Sequence, residues 1–148
     1  MATLAALVGV AGLTISRERR AAIADEAVIE SLNVRQATTD TLSLLKDAET
    51  GQRGFLLTKD ESFLAPYAKG RRELRQQLEQ LKRLVVSDTR QARIVYEIER
   101  LAGEKLDELA ETVQAARDGH QDQAVDIVRE GRGRRLMVAL RGETGRLL

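Results

Sequence analysis

The chain has 148 residues, enough for one domain with a substantial buried core. It contains one proline and only four aromatic residues, whereas leucine, alanine, glutamate, arginine and glutamine, all good helix formers, are abundant. This composition predicts an all-α fold. The 24 basic and 23 acidic residues are interleaved, which argues against a nucleic-acid partner, and the absence of cysteine excludes a disulfide scaffold and a thiolate metal site.

An uncharged stretch from Ala2 to Ile15 opens the sequence and ends at charged residues that begin with Arg17. Because a membrane-spanning helix needs about 20 apolar residues, this stretch is too short to cross a bilayer alone. It also lacks the basic residues that precede the apolar part of a signal peptide. We interpret residues 1–16 as the outer end of a truncated transmembrane helix and residues 17–148 as the domain itself. A buried core helix is the alternative for the first segment.

Turn signals divide the rest of the chain into four long helices. They are predicted at about residues 16–57, 65–85, 88–118 and 121–148. Ser87 or Asp88 is expected to cap the start of the third helix, and Gly119 to supply a left-handed stop at its end. Between the first two, Thr58-Lys-Asp-Glu61 has the spacing of a capping box. Apolar residues at steps of three and four form one stripe on each helix, and short connections force neighbouring helices to be antiparallel. The predicted fold is an elongated up-down-up-down antiparallel four-helix bundle, whose two chain ends lie at the same end of the rod.

The segment from Lys46 to Tyr67 carries an unusual pattern, D-x-E-T-G-x-R-G-x-L-L-T, followed by an acidic pair, an aromatic-Leu step and Pro-Tyr. This pattern resembles the signature of the third class of CHASE sensor domains, and residues 124–137 resemble the last helix of that family more weakly. The resemblance implies an extracytoplasmic input domain between two membrane spans of a receptor, and it implies no particular ligand. The signature residues are Asp47, Glu49, Thr50, Gly51, Gln52, Arg53 and Gly54.

Small and polar residues face inward on the first predicted helix. Gly51 and Gly54 each cost about 1 kcal/mol relative to alanine in a helix, so we expect compensation by tight packing, with a hinge or a ligand floor as the alternative. The inward stripe also contains Thr38, Thr41 and Gln52. Because buried polar groups need partners, this stretch is either a satisfied polar core or a ligand pocket.

An antiparallel alignment of the first and fourth helices brings two carboxylates of the motif close to a basic stretch. On that register we expect Asp47 or Glu49 to bond an arginine of the fourth helix. The candidate arginines are Arg129, Arg132, Arg134 and Arg135. Solvated charges are the alternative.

Catalytic machinery is not apparent in the sequence. The single histidine, His120, has no second histidine at ligand spacing and no nucleophile, so we expect no metal, no cofactor and no enzymatic activity in this chain.

The predicted function is signal transduction as the periplasmic input domain of a sensor histidine kinase in the bacterial inner membrane, within a two-component system. The expected partners are a second copy of the chain in a homodimer, the membrane through flanking helices, and an unidentified small-molecule or protein ligand. The full-length protein would then be a histidine kinase. Alternatives are the input domain of a diguanylate cyclase or chemoreceptor, a non-sensing structural bundle, and a cytoplasmic helical adaptor.

Overall fold

The computed structural model describes the backbone from Ala2 to Leu148 and the side chains from Glu26 onward. In this part of the chain all regular structure is helical, which confirms the predicted all-α class. The five α-helices are α1 (Ala2–Thr58), α2 (Ala65–Leu84), α3 (Thr89–Arg117), α4 (Gln121–Arg129) and α5 (Arg132–Leu147), and a 3₁₀ helix, Glu61–Leu64, precedes α2.

The chain divides into two compact units, residues 1–33 and 34–148. In the first unit the described side chains, those of residues 26–33, are all exposed. Residues 1–16 were predicted to form the outer end of a transmembrane helix. Their side chains lie outside the described part of the structure, so this remains a prediction. Among the residues that were described, no helix is long and apolar enough to cross a bilayer.

The second unit buries the apolar stripes predicted from helical spacing. On α1 the whole stripe from Val34 to Phe55 is buried, including its polar members. The positions predicted along the second helix are likewise all buried: Tyr67, Leu74, Leu78 and Leu81 on α2, and Val85 directly after it. α3 contacts α2, α4 and α5, so much of the core packs against the buried face of α3.

Contacts between α1 and α2 fix their relative direction. Gln77 Nε2 on α2 donates to the Ala37 carbonyl on α1 at 3.4 Å. Gly70 lies beside Ala48, because a Cβ at Gly70 would come 3.1 Å from the Ala48 Cβ. The later residue of α1 therefore lies beside the earlier residue of α2, so the two helices are antiparallel.

The predicted ends of α3 are confirmed. Asp88 is the N-cap residue, and its side chain accepts from the backbone N–H groups of Arg90 and Gln91 at 2.8 and 3.0 Å. At the other end Gly119 has a φ of 83°, a left-handed conformation that glycine adopts without steric cost.

The predicted capping box of Thr58 and Glu61 is wrong. Thr58 Oγ1 accepts from the N–H of Asp60, two residues on, at 3.1 Å. Asp60 caps the 3₁₀ helix by accepting from the Ser62 N–H at 2.8 Å, because a short carboxylate side chain readily closes such a turn. The Glu61 carboxylate accepts from Arg117 Nε at 2.8 Å, and this hydrogen bond lowers the pKa of Glu61.

The continuous fourth helix predicted from residue 121 to the end is also wrong. α4 ends at Arg129 and α5 begins at Arg132. Between them Gly131 has a φ of 74°, and its N–H bonds the Val128 carbonyl at 3.1 Å. A left-handed residue turns the backbone out of the helical ladder, so the helix stops and restarts in a new direction.

Two glycines of the α1 motif let the 3₁₀ helix approach closely. A Cβ at Gly51 would lie 2.5 Å from the backbone oxygen of Phe63, and a Cβ at Gly54 would overlap the Phe63 ring. Close packing therefore explains why glycine occupies these two positions within a helix.

Replacing Gly51 by alanine should destabilise the protein by about 1–3 kcal/mol, because the added methyl group meets a backbone atom that cannot move freely. Gly103→Ala on α3 is the matched control. Its Cβ would meet nothing within 4 Å, so we expect stabilisation of up to about 1 kcal/mol from helix propensity. Urea unfolding measures both changes, and a Gly51→Ala variant as stable as the parent would contradict the packing explanation.

Candidate functional site

The motif on α1 divides between a solvent face and a buried face. Asp47, Thr50 and Arg53 are exposed. Gln52 is buried, and the side chain of Glu49 is only 16% exposed. Glu49 and Gln52 are three residues apart on a helix, so both point toward the interior from the same face.

A buried lysine forms the centre of a charged cluster between α1 and α3. Lys105 is 1% exposed, and its Nζ lies 2.7 Å from Oε2 of Glu108 and 3.5 Å from Oε2 of Glu49. Glu108 is also buried, whereas Glu49 additionally pairs with Arg53 at the surface. A charge without a partner costs several kcal/mol in a protein interior, so these contacts allow Lys105 to stay inside the fold.

Lys105 and Glu108 lie outside the predicted site residues. The stripe predicted on α3 ran from Ala102 through Leu106 to Leu109 and passed over the lysine. Heptad spacing carried a usable signal, because Lys105 is three residues after Ala102 and four before Leu109. A charged residue at such a core position indicates a buried ion pair or a functional site.

The three polar residues predicted in the core of α1 are all buried, but their hydrogen bonding differs. Thr38 Oγ1 donates to the Val34 carbonyl at 2.7 Å, and Thr41 Oγ1 donates to the Ala37 carbonyl at 2.8 Å. Both threonines are thus satisfied by their own helix. Gln52 Nε2, in contrast, is buried and has no hydrogen-bond partner within the described part of the protein.

A cleft of about 30 Å³ adjoins Gln52. The Lys105–Glu108 pair lines it from α3, and Gly133 and Arg134 line it from α5. A Cβ at Gly133 would lie 2.5 Å from Lys105 Nζ and 2.6 Å from Glu108 Oε2. Position 133 therefore has to be glycine for the charged pair and the cleft to exist in this form.

The predicted ion pair between the motif and the last helix is wrong. Within the part of the chain whose side chains are described, neither Asp47 nor Glu49 has an arginine of α4 or α5 at ion-pair distance, and Glu49 binds Lys105 instead. Three of the candidate arginines have other partners: Arg129 pairs with Asp126, Arg132 with Glu111, and Arg135 with the Glu130 carbonyl. The arginines are exposed and can pair along the surface, whereas the buried lysine requires the carboxylate of Glu49.

The single histidine lies at the start of α4. His120 precedes the first residue of α4, and its backbone carbonyl accepts from the Ala124 N–H at 3.1 Å. Among the residues that the structure describes, no three His, Cys, Asp or Glu side chains are grouped so that they could hold a metal ion.

The profile of the CHASE3 domain matches residues 24–147, which include the α1 motif, the Lys105 cluster and all of α5. The chain belongs to the CHASE3 family. The resemblance found in the α1 motif is thereby confirmed. CHASE3 domains are sensor domains and not catalytic domains, so residues 24–147 form a sensory domain.

One solved structure shares the fold of this CHASE3 domain. It is the crystal structure of the Rhodopseudomonas palustris histidine kinase HK9 sensor domain, with a TM-score of 0.71 and 24% sequence identity. The match covers 77% of this chain and 89% of that chain. A search of curated protein sequences finds no match.

Replacing Lys105 by methionine should destabilise the domain by about 3–5 kcal/mol, because Glu108 would remain buried without its cation. The double variant Lys105→Met/Glu108→Leu removes both charges and should recover most of that loss. Urea unfolding of the parent, the two single variants and the double variant gives the coupling free energy between the two residues.

Lys69→Met serves as the control for loss of a lysine charge. The Lys69 side chain is 58% exposed, so we expect a change within about 0.5 kcal/mol. Equal stability of the Lys105→Met variant and the parent would show that the buried Glu108 carboxylate does not need the positive charge of Lys105.

Proposed function

We propose that this CHASE3 domain is the periplasmic input domain of a sensor histidine kinase, held in the bacterial inner membrane by a transmembrane helix on either side. Family membership supports a sensory role. The observation that carries the proposal is the position of the family signature on α1. Glu49 of this signature contacts the buried Lys105 of α3, close to the start of α5. This position links the first helix to the last one.

We further propose that residues 34–148 follow an up-down-up-down course, with α4 and α5 together as the fourth arm. Two observations support this course: α1 and α2 are antiparallel, and only residues 85–88 connect α2 to α3. The course would bring both chain ends to one side, as a domain between two membrane spans requires. Residues 1–16 would form the outer end of the first span.

In this proposal the signal is a change in how α1 and α5 lie relative to each other. A stimulus produces such a change only if it binds two arrangements of the helices with different affinity. Helix shifts of about 1–2 Å at subunit interfaces are a common form of allosteric transition. The cluster around Lys105 is suited to respond, because its three charged groups come from two helices and a third helix covers them.

A purely structural bundle is less well supported. It predicts a dry and fully apolar core, whereas this core contains Lys105, Glu108 and an unpartnered Gln52 amide. The input domain of a diguanylate cyclase or chemoreceptor fits the same architecture, and the output module of the parent protein distinguishes these receptors from a histidine kinase.

We propose that the receptor is a homodimer, because histidine kinase outputs act in pairs. Apolar side chains on α1 support this assembly. Val28, Ile29 and Leu32 are 58, 59 and 57% exposed. A second copy of the chain would shield them from water.

The periplasmic location can be tested by cysteine labelling, since the chain has no cysteine of its own. Gln76, an exposed residue of α2, is replaced by cysteine in the parent receptor. We expect a membrane-impermeant maleimide to label this cysteine in intact spheroplasts. A cysteine in the output module, labelled only after lysis, is the control. Labelling of Gln76→Cys only after lysis would contradict the proposal and favour a cytoplasmic adaptor.

The role of the cluster in signalling can be tested in the same receptor. The double variant Lys105→Met/Glu108→Leu should change the basal autophosphorylation rate by about fivefold or more, because it alters the energy difference between two helix arrangements. The matched control is Lys69→Met/Glu73→Leu, which removes an exposed ion pair of α2 and should leave the rate unchanged. An unchanged rate in the first variant would restrict the cluster to a structural role.

A further inference from the structure

We propose that the cleft beside Gln52 binds one small monovalent anion, of the class formed by halides and carboxylates with one or two carbon atoms. This inference extends beyond the proposed function, because it depends only on the geometry and charges of the cleft.

The first argument is an unused donor. Gln52 is 2% exposed, and its Nε2 has no acceptor in the part of the protein that is described. Buried donors are nearly always paired with protein, water or ligand. Since Gln52 lines the cleft, an acceptor placed there would complete its hydrogen bonding.

The second argument is the balance of charge. Arg53, Lys105 and Arg134 contribute three positive charges to the lining, whereas Glu49 and Glu108 contribute two negative charges. One positive charge therefore remains, and a monovalent anion would neutralise it.

The carboxylates of the lining are already engaged. Glu49 accepts from Arg53 with one oxygen and faces Lys105 with the other, and Glu108 accepts from Lys105. Arg134, in contrast, forms no ion pair with any side chain that the structure describes. The lining thus has donors to spare, which favours a ligand that carries acceptors.

The third argument is size. A water molecule needs a cavity of about 10–15 Å³, so a cleft of about 30 Å³ suits a ligand of only a few heavy atoms. Gly133 determines this size, because any side chain at that position would occupy the space next to Lys105 Nζ.

Thermal unfolding of the 148-residue chain at constant ionic strength tests the proposal. Sodium gluconate, whose anion is too large for the cleft, is replaced stepwise by chloride, formate or acetate. We expect a saturable rise in Tm with at least one of these anions, reaching about 5 °C at tenfold excess over Kd. A rise with chloride alone identifies a halide site, and a rise with formate or acetate alone identifies a carboxylate site.

Two variants assign the rise to the cleft. Gln52→Leu removes the unused donor and should weaken anion binding at least tenfold, without lowering the Tm in gluconate. Arg134→Gln removes an exposed cation, should leave folding intact, and should weaken binding at least fivefold. Arg75→Gln, on the exposed side of α2, is the control and should retain the full rise.

The proposal is overturned if no anion gives a saturable rise, which would indicate that the cleft holds only water. It is also overturned if Arg134→Gln and Gln52→Leu both retain the rise.

Discussion

The contact of Lys105 with Glu49 and Glu108 constrains how α1 can lie against α3. A displacement of α1 by one helical turn, about 5.4 Å, would separate Glu49 from Lys105. Apolar replacements of buried ion pairs are often neutral or stabilising, so the cluster is a poor source of net stability. Its effect is to favour one register of the two helices over its neighbours, because the neighbouring registers leave a charge unpaired inside the protein.

The motif residues of α1 form two sets with different roles in packing. Glu49 and Gln52 supply the polar groups that face α3 and α5, and Arg53 holds Glu49 from the solvent side. Gly51 and Gly54 have no side chain, so Phe63 and its neighbours pack directly against the backbone of α1. One short stretch of helix therefore positions both a charged cluster and the connection to the next helix.

The sequence predicted the features that depend on local spacing. The apolar stripes of α1 and α2, the N-cap at Asp88 and the left-handed stop at Gly119 all follow from residues within a few positions of one another. The break at Gly131 was missed, because one glycine in a helix costs only about 1 kcal/mol and its conformation depends on tertiary packing.

The partner of Glu49 was missed for a related reason. An arginine was the expected partner because the first and fourth helices were aligned as neighbours, and lysine on α3 was passed over because lysine is seldom buried. Helical spacing places Lys105 at a core position of α3, but it does not identify Glu49 as a partner. That pair joins residues far apart in the chain, and it depends on how α1 packs against α3.

The small helix α4 lies between two left-handed glycines, Gly119 and Gly131. Its apolar contacts form a cluster of their own, made of Ala115, Ala124 and Ile127, apart from the main core. α4 itself buries only Ala124 and Ile127, and it has a turn at each end. We therefore expect α4 to open locally at a lower free energy than global unfolding, so that heat releases it while α3 and α5 remain folded.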